Sequence, residues 1–411
     1  MMTWAEMPRA PGHVFYNRHQ KLLDDAGFDA LVEETCKPFY APRMGASSVP
    51  PGRYFRMHMI GYFEGLHSER GIVWRCSDSR SLGDFLRLGK RDKVPDHSWL
   101  SKTHGRLPHE LHENMFAFVL KLVAEHGLVK GERIGVDGST MEANAALRTI
   151  VRRDTGESYR EMLTPMAKES SAETPTIDDL IQLDRKRKGK KLSNEDWTSK
   201  TDQDANIAKL KDCSAHLAYK PEHAVDLATG VIVAASIHEA DTTTFDATLK
   251  ETEKNLSAVD IVPTPEEPCD LVADKGYHSR DVLKGLDDGP WKTRIAEPQP
   301  SNGCLRWHGD DGASAAVYGN RNRLNSGVGR EAMRKRCEIV ERSFAHVLER
   351  GDMRCTWLRV RDNIHKRDLV HVAGYNLGIL MRAQFGAGAP KTAADARYAL
   401  LFVIQTAELP P

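Results

Sequence analysis

Three short phrases in the chain each set one carboxylate where a divalent cation could be held. They are Ile134-Gly-Val-Asp137-Gly-Ser-Thr140, Leu271-Val-Ala-Asp274-Lys-Gly-Tyr277 and Glu338-Ile-Val-Glu341-Arg-Ser-Phe344. In the first two, an Asp follows an apolar run that reads as a buried strand. Ligands in open α/β sheets gather just outside the carboxyl ends of strands. The third phrase lies on a helix. Carboxylates, water and phosphate oxygens form the donor set that Mg²⁺ or Mn²⁺ prefers. Two such ions can hold the attacking and the leaving oxygen of an in-line phosphoryl transfer. Three carboxylates gathered without a cation would repel one another and at least one pKa would rise. A metal or a basic partner must offset that repulsion.

Glu338 and Glu341 compete for the third place. The apolar stripe of their helix reads as Met333, Cys337, Val340, Phe344, Val347 and Leu348. At about 100° per residue, Glu341 falls roughly 70° from the centre of this stripe and Glu338 roughly 130° from it. Glu341 is therefore expected at the edge of the packed face, and Glu338 stays open as the second choice.

These carboxylates need positioning elements. Up to about residue 127 the pattern is helical. One helix leads from Phe28 into Cys36, another follows Pro50-Pro51, and a third covers Ser81 to Leu88. A fourth is capped by Asp96 or Ser98, and a fifth runs from Leu111 to Glu125. The period then changes. Arg133–Asp137 reads as a strand, and Val225–Leu227 and Val231–Ile237 as a hairpin joined by Ala228-Thr-Gly230. Phe245–Ser257 reads as a helix, Asp270–Asp274 and Thr293–Ala296 as strands, and Arg330–Glu349 as a helix. The predicted fold class is therefore mixed α/β behind an all-α unit. Residues 148–215 read as a polar, partly helical insertion, residues 297–328 as loop, and residues 386–411 as a tail with a small peripheral helix. The expected units are 1–127, 128–385 and 386–411.

The chain has 411 residues, too many for one ordinary core, with 40% hydrophobic and 28% charged residues, as in soluble globular proteins. No run approaches the roughly 20 apolar residues of a membrane span, and the N-terminus does not read as a signal peptide. Seven scattered Cys suggest reduced thiols in a cytoplasm. Net charge is zero, yet Arg185 to Lys191 holds six cations in seven residues, and Arg321 to Arg367 holds thirteen Lys and Arg against six Asp and Glu. Local basic patches make phosphate footprints. Arg185, Lys186, Arg187, Lys188, Lys190 and Lys191 are the first candidates for contacting DNA. Ser101, Lys102, His104 and Arg106 are candidates for facing a groove. His216, His223, His238, His278 and His308 match no standard zinc spacing and read as loop or core histidines. Trp291 and Trp307 are either packing residues or platforms for an unpaired base.

In their order and wording these phrases resemble bacterial insertion-sequence DDE transposases, particularly the insertion-sequence-five type. The resemblance runs from about Pro11 to Arg382. Its most specific parts are Val94-Pro-Asp-His-Ser-Trp-Leu-Ser, Ala218-Tyr-Lys-Pro-Glu-His-Ala-Val-Asp, Ala273-Asp-Lys-Gly-Tyr and Val340-Glu-Arg-Ser-Phe-Ala-His. It implies a ribonuclease-H-like catalytic domain behind a helical DNA-binding domain, with Asp137, Asp274 and Glu341 as the catalytic, metal-holding triad. It implies Mg²⁺ or Mn²⁺, two ions, as cofactor. Tyr277 matches the D-x-x-Y pattern, which implies a place for it at DNA. The Arg four before the Glu and the Lys seven after it are absent, because Cys337 and Leu348 stand there, whereas Arg334 stands four before Glu338. Arg334, Arg342, Arg350 and Arg354 are candidates for the missing cations.

The implied reaction is hydrolysis at a transposon end that frees a 3′-OH, followed by attack of that 3′-OH on target DNA. The implied partners are double-stranded terminal repeats and target DNA, with a homodimer on DNA, no membrane, and a bacterial cytoplasmic, nucleoid-associated setting. A catalytically silent DNA-binding derivative and a nuclease that cuts without joining remain open. If Arg185–Lys191 grips phosphates, neutralising its six cations will flatten the dependence of log affinity on log salt by about 0.9 per lost contact. Preference for one repeat over random DNA should hardly change. An unchanged slope in a filter-binding salt series would remove this segment from the interface.

Overall fold

Strands that read as apolar on both faces lie at the middle of one mixed sheet. The computed structural model describes residues 12–40, 49–89, 91–170, 175–186, 193–209, 214–240, 244–298 and 309–393. Among the described residues seven α-helices come first: α1 (Val14–Asp25), α2 (Phe28–Cys36), α3 (Pro51–Glu64), α4 (Glu69–Ser77), α5 (Arg80–Phe85), α6 (His97–Arg106) and α7 (His109–Glu125). Side-chain oxygens of Ser68, Ser79 and Asp96 cap α4, α5 and α6 by accepting from N–H groups of the first turn. Asp96, rather than Ser98, is the cap of α6.

Then follow β1 (Arg133–Gly138), β2 (Met141–Glu142), β3 (Ile150–Arg152), α8 (Tyr159–Ser170), α9 (Ile177–Lys186), β4 (Trp197–Ser199) and β5 (Asn206–Lys209). Helices α8 and α9 bury a small cluster of their own, Leu163, Ala167 and Leu180, so the polar insertion is partly helical. The chain continues through β6 (Ala215–Asp226), β7 (Ile232–Glu239), α10 (Phe245–Ser257), β8 (Cys269–Ala273), α11 (Arg280–Leu286), β9 (Trp291–Ile295), α12 (Asp311–Asn325) and α13 (Gly327–Phe344). Helix α13 passes directly into a π-helical turn, Ala345–Arg350, and α14 (Arg361–Phe385) is the longest element described.

Across the sheet the long strands run β7-β6-β1-β8-β9. Strands β7, β6 and β1 form an antiparallel meander, while β8 and β9 are parallel to β1. This mixed α/β arrangement behind a helical N-terminal region is a ribonuclease-H-like architecture. Strand β8 is buried at Leu271, Val272 and Ala273, as a central parallel strand must be.

Both edges of this five-strand core are closed by an asparagine from a helix. Asn376 of α14 accepts from the N–H of Ile232 and donates to its C=O, at 2.9 and 2.8 Å. Asn320 of α12 does the same for Ile295, at 2.8 Å for both bonds. An unpaired edge offers its backbone to other chains, and these helices blunt it.

Two of the elements read from the sequence differ in the structure, and α1, α4, α11 and α14 are helices that the sequence reading did not name. Residues 311–325 are helix α12, where loop was expected. Its buried face consists of Ala313, Ala316, Val317 and Asn320, small or polar residues that give no apolar stripe. The predicted single helix 330–349 is α13 plus the π-turn. Of the tail, residues from 394 onward lie outside the described residues, as do Arg187, Lys188, Lys190 and Lys191 of the basic run.

Helix α14 packs along α7 and α3 and also against β7. His104 Nε2 meets the C=O of Asn363 at 2.9 Å, and Arg367 donates to the C=O groups of Leu66 and His67. His365 joins His109 at 2.8 Å to the C=O of Ala235 in β7 at 2.9 Å. One helix therefore anchors the N-terminal helices to the sheet. Replacing Asn376 by Ala would leave the N–H and C=O of Ile232 buried without partners. Urea unfolding should show a loss of about 2–4 kcal/mol, and a loss below about 1 kcal/mol would mean that water or a backbone shift replaces the clasp.

Candidate active site

Asp137 and Asp274 emerge side by side. Strands β1 and β8 are parallel, with Val136 opposite Ala273, so the next residue of each strand is one of the two aspartates. Ile134 and Val136 are fully buried and fix β1 in the sheet. Asp274 opens a short 3-10 turn, Lys275–Tyr277, and its carboxylate accepts no hydrogen bond from a described residue.

Asp137 is engaged at both oxygens. Oδ1 accepts from the N–H of Gly138 at 2.8 Å, and Oδ2 accepts from Nη1 of Arg336 at 2.6 Å. Burial pushes its pKa above the ordinary aspartate value, Arg336 and the Gly138 N–H pull it back, and the nearby Asp274 charge adds to the rise. Arg336 is almost enclosed, with 7% of its side chain exposed. Burial works against its charge, and Asp137 more than offsets this, so its pKa lies above the ordinary arginine value.

A glycine permits this contact. A Cβ on Gly135 would stand 2.6 Å from Leu227 Cδ2 and 3.0 Å from Val340 Cγ2. Without one, α13 lies close over β1, and Arg336, one turn before Val340, reaches the strand end. The buried face of α13 comprises Gly329, Ala332, Arg336, Val340, Ser343 and Phe344. Glu341 therefore lies roughly 130° from the centre of that face rather than about 70°. It is exposed and is not brought to the two aspartates. Glu338 points almost directly away and pairs with Arg342 at 2.5 Å. Among the described residues, no group of three or more His, Cys, Asp or Glu could hold a metal ion. The expected convergence of three carboxylates is thus present only as a pair, with a guanidinium beside it.

The opposite face of the sheet carries a second charged group that the sequence reading gave no role. Glu222 lies across from Gly138 in the β1–β6 pairing and is fully buried. Its oxygens accept from Thr244 at 2.6 Å, Thr248 at 2.5 Å and Tyr277 at 2.9 Å, and Lys220 pairs with it at 2.6 Å. Burial raises its pKa, and Lys220 with the two threonines outweighs that, leaving it below the ordinary glutamate value. The phenol of Tyr277 is raised by burial and by Glu222. Tyr277 was expected at DNA; instead it turns its hydroxyl into the protein and ties the Asp274 turn to β6.

The other expected contacts are dispersed. Ser101, Lys102 and Arg106 are exposed on α6, with Arg106 over the ring of Tyr40. His104 is not available to a groove, because it is buried between Tyr54 and Asn363. Arg334 and Arg342 are exposed on α13, and Arg185 and Lys186 on α9. Arg354 donates to Ser139 Oγ and the C=O of Thr140, both at 2.9 Å, close beyond Asp137 in the chain. Trp291 is buried and donates to Glu253, so it packs. His216 meets Glu142, His223 meets Ser343, and His238 meets Ser236. Trp307 and His308 lie outside the described residues. Arg336 was one cation among thirteen in its segment. Its spacing of four from Val340 was the signal that places it on the inner face.

Residues 5–106 match the family profile described as Transposase domain (DUF772), and residues 187–373 match the one described as Transposase DDE domain. The chain belongs to the insertion-sequence DDE transposases. The DDE match contains Asp274, Arg336 and Glu341 and begins after Asp137. No curated protein and no solved structure matches the transposase. The family works on DNA and generally uses divalent metals. No helix among the described residues is long and apolar enough to cross a membrane.

Glu222 yields a pH prediction for the transposase. Its folded pKa is depressed, so the unfolded chain binds the extra proton, and the stabilisation is complete above the ordinary value of 4.5 and lost as pH falls below it. Glu222→Gln should lose about 2 kcal/mol or more at pH 7 and should lack that part of the acid dependence. Parallel wild-type and variant curves between pH 6 and acid would refute the assignment.

Proposed function

We propose that this transposase cuts DNA at the ends of a mobile element and joins the freed ends to target DNA. The observation that carries the reading is the pair Asp137 and Asp274 at the carboxyl ends of adjacent parallel strands. Their donors are hard oxygens, partly buried and mutually repelling, and they fit Mg²⁺ or Mn²⁺. A divalent cation held there would activate the attacking oxygen and neutralise charge on the leaving one. Asp137 and Asp274 would hold the metal, with Glu341 as the proposed third ligand and Glu338 as its alternative. Two ions remain the proposed number.

The chain's own part is to present phosphate to this pair. Arg336 lies against Asp137, and Arg354 lies just beyond it. Water attacks phosphorus and the 3′ oxygen leaves with the broken P–O bond. That 3′-OH then attacks a target phosphodiester, and as the new P–O bond forms the target's own 3′ oxygen leaves as an alcohol, so no nucleotide cofactor is needed. The unit 1–127 would select the terminal repeat through α6, with Ser101, Lys102 and Arg106 exposed for it. The basic run from Arg185 would meet flanking or target DNA, and two copies would act on the two ends. A catalytically silent DNA-binding chain is the second reading, favoured by the exposure of Glu341.

The DNA flanking the coding region supplies the substrate, since inverted repeats there define the ends. Asp137→Ala and Asp274→Ala should each lower cleavage about a thousandfold or more while retaining gel-shift binding. Glu341→Ala should behave in the same way. Full cleavage by Glu341→Ala with loss in Glu338→Ala would move the third ligand to Glu338. No Mg²⁺- or Mn²⁺-dependent cleavage by the wild type would leave the silent reading, and cutting without strand transfer would leave a nuclease.

A further inference from the structure

Arg336 is a buried guanidinium beside the candidate site with donors left over. It carries five N–H donors in a fixed fork. Nη1 reaches Asp137 Oδ2 at 2.6 Å, and Nη2 meets only the Sγ of Cys337 at 3.5 Å, a weak acceptor. Its Nε is buried with no partner among the described residues. The side chain is held in place because α13 rests on Gly135 through Val340. Asp137, in turn, has one oxygen on the Gly138 N–H and the other on Arg336. The carboxylate is already neutralised, and the guanidinium has donors to spare beside it. Planar, forked donors of this kind match the oxygens of a phosphate.

We propose that Arg336 is the site's built-in counter-ion: it competes with the divalent cation for Asp137 and releases that carboxylate when a DNA phosphate offers its guanidinium another anion. The proposal rests on Asp137 being a cation ligand, as proposed above. It gives the transposase an ordered assembly. Without DNA, the fixed positive charge weakens cation binding. With DNA, the guanidinium turns to phosphate, and the carboxylate pair becomes fully attractive to a cation. The DNA and the metal then bind with positive coupling, which by linkage must be reciprocal.

The test is Mn²⁺ binding to the full chain, read from the electron paramagnetic resonance signal of free Mn²⁺ at pH 8 without DNA. Removing a fixed positive charge beside the ligand should tighten binding about tenfold or more in Arg336→Gln. Arg336→Lys, which keeps the charge, should stay within about threefold of wild type. Asp137→Asn should lose the site in either background. If Asp137→Asn binds Mn²⁺ like wild type, Asp137 is no cation ligand and the active-site reading falls. If Asp137→Asn loses binding but Arg336→Gln binds no tighter than wild type, only the competition is refuted. Should Arg336→Gln melt below the assay temperature, the intact chain decides. Duplex DNA of mixed sequence should tighten Mn²⁺ binding to wild type beyond the change seen with Asp137→Asn, and equal changes in the two would overturn the proposal.

Discussion

Two carboxylates fixed at the ends of adjacent buried strands demand positive charge, and much of the structure can be traced from that demand. Backbone pairing of β1 with β8 sets Asp137 and Asp274 side by side, and neither can move away without breaking the sheet. Burial makes the charge on Asp137 costly. Arg336 offsets it, which requires α13 to lie close over β1, which in turn requires a residue without a side chain at position 135. Each step fixes the next, so a conservative change at Gly135 would be felt at the carboxylate.

The strand ends are held from both faces. On one, α13 brings Arg336, and Ser343 bonds to His223 at 2.8 Å. On the other, Glu222 gathers Lys220, Thr244, Thr248 and Tyr277. Tyr277 belongs to the turn that Asp274 opens, so the buried glutamate acts on the second aspartate through that turn. A site meant to hold its groups to a fraction of an ångström needs such support from packed and hydrogen-bonded neighbours.

Much of this was legible in the sequence because it rests on apolar periodicity. Ile134 and Val136, and Leu271 to Ala273, announce buried strands, and an Asp after each announces a strand end. The span of α10 follows from its pattern, Phe245 to Ser257. What stayed hidden involves polar residues at buried positions. Arg336 and Ser343 sit on the inner face of α13 but read as outward-facing, while Cys337 reads as inward and is exposed. The π-turn after Phe344 adds a break in phase, so Val347 and Leu348 do not continue the same stripe. Together these turned the wheel toward Glu341. Helix α12 was missed for a related reason, since Ala313, Ala316 and Asn320 pack through small size and hydrogen bonds.

Helix α14 is the last long element among the described residues, yet its neighbours α3, α6 and α7 come from the first third. The polypeptide closes on itself: the helices made first lack their main packing partner until the sheet and α14 have been synthesised. During translation, those helices must wait with an apolar face uncovered. This closure has an evolutionary side as well. Recombination between related genes at any point between α7 and α14 would join helices from one parent to an α14 from the other. His104, His109 and the carbonyls of Leu66 and His67 would then meet a foreign surface. The two halves are therefore inherited as a matched pair.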